Sequence, residues 1–364
     1  MPEVVWFDDL PALFPMPGPA PSGWHFDLFS MAFFLLSRYE EYLPGQRDAN
    51  GRFPASASLA VQKGFLEIPA LDCWIARLAN ELSSGFPELP VSISGFSFQP
   101  TFDVDQAWAY LHKPLWRQIG GILKFILSRE WSRFLQRLAV WIKKESDPFD
   151  TFSFILQQHP TPPLFFFLLA DPGPYDKNNP PDHPALQSLI RELATKAPLG
   201  IHPSYKSLEI PELVAKEKER LERITGSTIH KSRQHFLRLR LPETYRALMA
   251  AGIEEDYSMG YADAIGFRAG TAFPFRWYDL EMECATELLV HPFQAMDVTL
   301  RQYLGLSPEE AMTALSGLLE KVRQTGGPFC TVWHNSSFDE KGGWRGWTAV
   351  YRHLLKECQN QTQE

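Results

Sequence analysis

The chain has 364 residues, 45% of them hydrophobic and 21% charged, with a formal net charge of −8. That length buries a large core and accommodates one barrel-sized domain plus a smaller one, and the ordinary charge fraction excludes a largely disordered chain. The acidic balance argues against nucleic acid as the main partner, because phosphate binding needs a concentrated basic surface.

The N-terminus, Met1-Pro-Glu-Val-Val-Trp-Phe-Asp-Asp, lacks the basic start and continuous apolar segment of a signal peptide. The run Met31-Ala-Phe-Phe-Leu-Leu36 is far shorter than the ~20 residues a bilayer span takes, so a cytoplasmic protein without a transmembrane segment is expected. Residues 1–97 read as a first unit. It opens with a Pro-rich, extended stretch from Pro11 to Pro21, then a helix from Phe26 to Tyr42 ended by Pro44-Gly45. A loop from Gly45 to Pro54 and a second helix near Asp72 to Leu82 follow. Four cysteines, Cys73, Cys284, Cys330 and Cys358, lie far apart in apolar or helical stretches and read as buried reduced thiols rather than a disulfide framework or C-x-x-C zinc motif.

From about Val91 the pattern changes to short apolar runs alternating with amphipathic segments. Strands are expected near 98–103, 164–170, 198–203, 233–239, 264–268, 287–292 and 328–334. Helices are expected near 115–144, 184–195, 208–224, 241–251, 307–324 and 345–357. Ser307-Pro308-Glu309-Glu310 marks one helix start, with a capping hydroxyl, a proline at the first helical position and a glutamate that returns the cap. Strand–helix alternation implies parallel strands with crossover helices. With about seven units the fold class is α/β, a β/α barrel over 98–364 with a helical insertion near 111–145; an open doubly wound sheet is the alternative.

Barrel chemistry sits where strands end and loops begin, and polar residues gather there. In Phe98-Gln-Pro-Thr-Phe-Asp103-Val-Asp105 the two carboxylates share a face, since side chains alternate along a strand, and like charges so close need a cation or a shared proton. His202, in Gly200-Ile-His202-Pro-Ser204-Tyr205, offers an imidazole at a strand end, which with a carboxylate suits zinc or another first-row divalent ion. His235, in Ser232-Arg233-Gln-His235, falls on the inward face of an alternating run, as a core or active-site group. Arg268, in Gly266-Phe-Arg-Ala-Gly270-Thr271, can pair with a catalytic carboxylate and hold it ionised, or form a surface ion pair. His334, closing Pro328-Phe-Cys-Thr-Val-Trp333, is a candidate general acid, and His291 could line the same mouth. The stretch from Lys113 to Lys144 interleaves basic and aromatic residues. Its leading reading is a helical hairpin with its aromatic stripe on the barrel and its charges in water; peripheral contact with an anionic membrane or an acidic polymer is the other.

Thr101-Phe-Asp103-Val-Asp105, Gly-Ile-His202-Pro-Ser, Phe267-Arg268 and Trp333-His334-Asn335, in that order, resemble the polysaccharide deacetylases of carbohydrate esterase family 4 over about residues 98–340, with 1–97 as an accessory N-terminal domain. The resemblance implies Asp103 as catalytic base, Asp105 as metal ligand, Arg268 as the arginine that orients the base and His334 as general acid. The family supplies two metal histidines from one H-[S/T]-x-x-H segment, whereas the residue four after His202 is Lys206. Either His235 supplies the second imidazole, or metal is held weakly, or catalysis is lost.

The resemblance implies a metal-dependent carbohydrate N-deacetylase, with zinc held by Asp105, His202 and His235 and an N-acylated sugar or polysaccharide as substrate. Trp344 and Trp347 could stack on sugar rings or serve the core. Two rival readings are a hydrolase of a non-sugar amide and a non-catalytic module binding glycan or lipid-linked sugar.

Overall fold

The computed structural model describes residues 1–18 and 24–359. Of the Pro-rich stretch, residues 11–13 belong to a strand and 19–21 lie outside the described residues. The N-terminal section opens with an antiparallel hairpin, β1 (Val4–Phe7) and β2 (Leu10–Leu13), which turns over Asp8 and Asp9 at φ 49° and 64°. Asp27 starts the following helix by accepting from the Ser30 backbone N–H at 3.0 Å. The expected helix over Phe26 to Tyr42 is broken in two, Leu28–Leu36 and Tyr39–Tyr42, because Arg38 takes a left-handed φ of 56°. That turn drives its guanidinium inward onto Glu40 and Glu41, at 2.7 and 2.9 Å. Phe26, Met31, Phe34 and Trp74 build a core here that also takes in Tyr261.

The large sheet contains β3 (Phe96–Val104), β4 (Leu164–Phe167), β5 (Leu199–Ile201), β6 (Lys231–Ser232), β7 (Glu255–Met259), β8 (Phe275–Asp279), β9 (Cys284–Pro292), β10 (Ala295–Met296) and β11 (Gly327–His334). Their order is β10-β11-β3-β4-β5-β6-β7-β9-β8, parallel except for β8. Only two residues separate β9 from β10, and they hand the ladder across. Phe293 N–H donates to the Met259 carbonyl of β7 and Gln294 N–H to the Cys330 carbonyl of β11, both at 3.0 Å. The strand broken into β9 and β10 therefore touches β7 on one side and β11 on the other, and the seven parallel strands ring round as a curled α/β barrel. The antiparallel β8 occupies the early part of that seam, so the ring closes at the C-terminal ends of the strands.

Strand parity sorts the side chains into two layers. Phe102, Val104, Phe165 and Phe167 face the outer helices, while Leu164, Phe166, Cys330 and Val332 fill the interior with Tyr257 and Phe293. Thr101 and Asp103 share the interior parity. At Gly200 a Cβ would lie 2.6 Å from the Phe166 ring and 2.8 Å from the Lys231 carbonyl oxygen. Gly200→Ala is accordingly expected to cost about 1–3 kcal/mol by overpacking, read from the midpoint of denaturant unfolding.

The outer helices Pro184–Ala194, Glu212–Thr225, Glu243–Ala250, Pro308–Thr325 and Trp347–Gln359 follow the expected ones, and Ser307 and Glu310 form the reciprocal cap. Two strands differ. Residues 264–268 are not a strand; β7 precedes them in Glu255-Asp-Tyr-Ser-Met259, whose acidic residues hid it. There the buried Asp256 is satisfied by Ser232 Oγ at 2.8 Å and Ser258 N–H at 2.9 Å. Past Ser232 the expected strand over 233–239 curls into a 3₁₀ turn, with Phe236 and Leu237 at φ 59° and 52°. No helix of the described residues is long and apolar enough to cross a membrane.

Candidate metal centre and catalytic site

The closed end of the ring gathers the polar residues. Asp103 ends β3 opposite His334 of β11 and Phe166 of β4, and it is buried. Asp105, one residue past the strand, points to the same side and lies beside two imidazoles. Its Oδ1 is 3.3 Å from His202 Nε2 and 3.7 Å from His235 Nε2. One ligand atom from each of Asp105, His202 and His235 lies within 4.8 Å of the others.

Both imidazoles are oriented from behind. His202 Nδ1 lies 2.6 Å from the Arg233 carbonyl oxygen and His235 Nδ1 lies 2.9 Å from Asp176 Oδ1. Those oxygens only accept, so each Nδ1 carries a proton and each Nε2 offers its lone pair to the centre. Asp105 Oδ1 is buried without a hydrogen-bond partner. Burial opposes ionisation of Asp105, but the imidazoles of His235, His202 and His334 hold it well below the usual carboxylate range. His202 is pushed up, against burial, by Asp103 and Asp105. Two imidazole nitrogens and a carboxylate oxygen fit zinc or another first-row divalent ion.

The base candidate is held by an arginine, but not the expected one. Arg233, fully buried, donates from Nη1 to Asp103 Oδ1 at 2.8 Å and from Nε to the Tyr257 carbonyl at 2.9 Å, with its guanidinium carbon 4.6 Å from the centre of the Phe166 ring. Arg268 is a correction. Without a strand at 264–268 it turns away from the barrel interior and makes a two-pronged pair with Glu41, Nε to Oε1 at 2.9 Å and Nη2 to Oε2 at 2.6 Å, donating also to the Gly260 carbonyl at 2.8 Å. Burial opposes the charge of Glu41, yet Arg268 and Arg38 hold it down to about 2.

His334 faces the cavity on the other flank, with Nε2 3.9 Å from Asp105 Oδ2. Its Nδ1 lies 2.8 Å from Asp297 Oδ1, and its backbone N–H donates to Asp297 Oδ2 at 2.7 Å. Ser337 Oγ also donates to Asp297. Burial disfavours the imidazolium, but Asp297 first, then Asp105 and Asp103, push His334 up to about 10. Sequence reasoning missed Asp297 and Asp176, and it noted Arg233 without a role. Asp297 closes the short run Gln294-Ala-Met, the same signal that marked Asp103. Asp176 sits in an irregular Pro-Gly loop that gives none.

The triad, Asp103 and His334 line a cavity of about 450 Å³, walled by apolar Met296 and Val298 and by Arg52 and Tyr303. Arg52 comes from the Gly45–Pro54 loop. It donates to the Phe236 carbonyl at 2.9 Å, next to His235, and to Tyr303 Oη at 3.2 Å. His291 stands apart, stacked on Tyr257 with its Nε2 3.1 Å from Glu255. Trp344 and Trp347 are buried in the outer core, so neither offers a sugar platform.

A family model described as a family of unknown function (DUF7033) matches residues 2–87. No curated protein matches the chain. Among solved structures, a Mycobacterium smegmatis protein described as a polysaccharide deacetylase is 16% identical, covering 75% of this chain and 87% of its own, with a TM-score of 0.46. A Pseudomonas aeruginosa protein described likewise is 11% identical, covering 72% and 84%, with a TM-score of 0.43. The Puue allantoinase is 14% identical, covering 74% and 86%, with a TM-score of 0.42. Over about three quarters of its length the chain is similar to proteins described as polysaccharide deacetylases and to an allantoinase.

Proposed function

We propose that the protein is a metal-dependent hydrolase that removes an N-acyl group, acetyl in the first instance, from an amino sugar or polysaccharide. Residues 98–364 would be its catalytic barrel and 1–97 an accessory section that helps wall the site. The observation that carries this is the pairing of two Nε2 lone pairs and an unpartnered carboxylate oxygen with a proton acceptor on one flank and a proton donor on the other.

Asp105, His202 and His235 would hold a divalent ion, zinc by its donor set, which when bound lowers the pKa of water and polarises a carbonyl oxygen. Asp103 accepts the proton of the attacking water. Its Oδ1 is fixed by Arg233, which aims the carboxylate, and Oδ2 remains for the proton. His334 donates from Nε2 to the departing amine nitrogen, while Asp297 fixes its tautomer and stabilises its charge through Nδ1.

Metal analysis of the purified chain tests the assignment. About one divalent ion per chain is expected; His202→Ala and His235→Ala each strip it, and His291→Ala retains it. Full metal in His235→Ala beside loss in His202→Ala would remove the third ligand. Turnover of an N-acetylated hexosamine oligomer but not of a simple aliphatic amide separates the sugar reading from its non-sugar rival.

A further inference from the structure

Between β3 and the helix Phe152–Gln158 the chain leaves the barrel as two helices, Leu115–Leu127 and Trp131–Trp141. The base of this hairpin is fixed by Asp147, which accepts from the backbone N–H groups of Ala109, Tyr110 and Leu111 at 2.7, 2.8 and 3.0 Å. Tyr110, Phe125 and Val140 give it a small core of its own. Arg117 donates to the carbonyls of Lys177 and Asn178 at 3.1 and 3.0 Å, in the loop that supplies Asp176.

The expected packing of its aromatic stripe on the barrel fails at Trp116 and Trp131. Leu127 is 82% exposed, Leu115 73%, Trp116 67%, Leu135 62%, Ile142 62% and Trp131 54%. In the second helix Trp131, Leu135, Leu138 and Ile142 recur at spacings of four, three and four, so they share one face. Gln136, Arg137 and Val140 are buried on the other. The core-facing stripe of an amphipathic helix is here presented outward, an exposed apolar surface of the kind that marks an interaction site.

We infer that this hairpin docks on an anionic lipid bilayer. Between Lys113 and Lys144 stand eight Lys or Arg and one acidic residue, Glu130, in a chain whose net charge is −8, and Arg129, Lys143 and Lys144 among them are exposed. Acidic headgroups attract this segment and repel the rest of the protein, which sets the orientation of docking. Leucine and tryptophan set among basic side chains are what an interfacial helix buries at the headgroup boundary. An anionic polysaccharide would use the charges and the indoles but would leave Leu115, Leu127, Leu135 and Ile142 in water. A second copy would bring two basic surfaces face to face. The inference goes beyond the proposed reaction and holds whatever the site catalyses.

Co-sedimentation of the full chain with vesicles tests it. Binding is expected to vesicles of phosphatidylcholine mixed with phosphatidylglycerol, weakening with salt, with a blue shift of tryptophan fluorescence. Replacing Trp116, Leu127 and Trp131 together by serine should lower partition about a hundredfold. The triple variant R129E, K143E and K144E should lower it about tenfold or more on the mixed vesicles only. Both should keep the unaltered circular dichroism and melting temperature, since all six positions are exposed. Three results would overturn the assignment: no binding of the unaltered chain to mixed vesicles, equal binding by both variants, or retention on soluble dextran sulfate without vesicle binding. A shift from dimer to monomer in the serine variant, with no vesicle binding by either form, would assign the face to a second copy instead.

Discussion

Asp103→Asn is expected to leave fold and metal content unchanged and to lower turnover of an N-acetylated sugar on the order of a hundredfold or more, the range of general-base removal. The substitution is nearly isosteric, and the amide oxygen still accepts from Arg233 at the Oδ1 position. What it loses is the ability to take a proton. Steady-state kinetics at verified metal occupancy provide the check, and unchanged turnover would end the mechanism. Two arginine variants sharpen the result. Arg233→Lys should lower the rate by unsettling Asp103, whereas Arg268→Lys should act on stability through Glu41 and leave the rate of the folded fraction alone.

His334→Gln is expected to abolish most turnover on amides while losing less on an activated acetate ester, whose leaving group departs without a proton. A general acid works in its protonated form, so the unaltered protein should lose amide turnover as pH rises through the pKa of His334, and the variant should lack that limb. In the metal-free protein His334 should titrate near 10, and Asp297→Asn should bring it down, both visible by NMR of the ring. The folded pKa lies above the unfolded one, so the pair contributes fully to stability below the unfolded pKa of about 6.5 and loses that contribution as pH climbs toward the folded value. Equal losses on amide and ester would assign His334 to positioning.

Residues that close an apolar run were legible because local pattern alone places them. Asp103, Asp105, His202 and His334 stand at strand ends in the expected order. His235 reaches the triad by a different route. The alternating pattern places it on the inward face of a strand, but it rides a 3₁₀ turn with left-handed residues that no pattern announces. The arginine was the hardest choice. Arg233 and Arg268 both follow runs that could be strands, and what separates them is the carboxylate each meets, 130 and 227 residues away in the chain. Composition could not place the hairpin either, since the same stripe serves a core or a surface.

The ion pairs joining the two sections of the chain bear on how the molecule is made. Arg38 pairs with Glu40 and Glu41, Arg47 lies near Glu41, and Arg268 adds a two-pronged pair to Glu41 from the barrel section. During synthesis the first section leaves the ribosome long before that last arginine has been translated, so Glu41 first meets the local arginines Arg38 and Arg47. The two-pronged contact with Arg268 therefore forms only after most of the barrel has emerged.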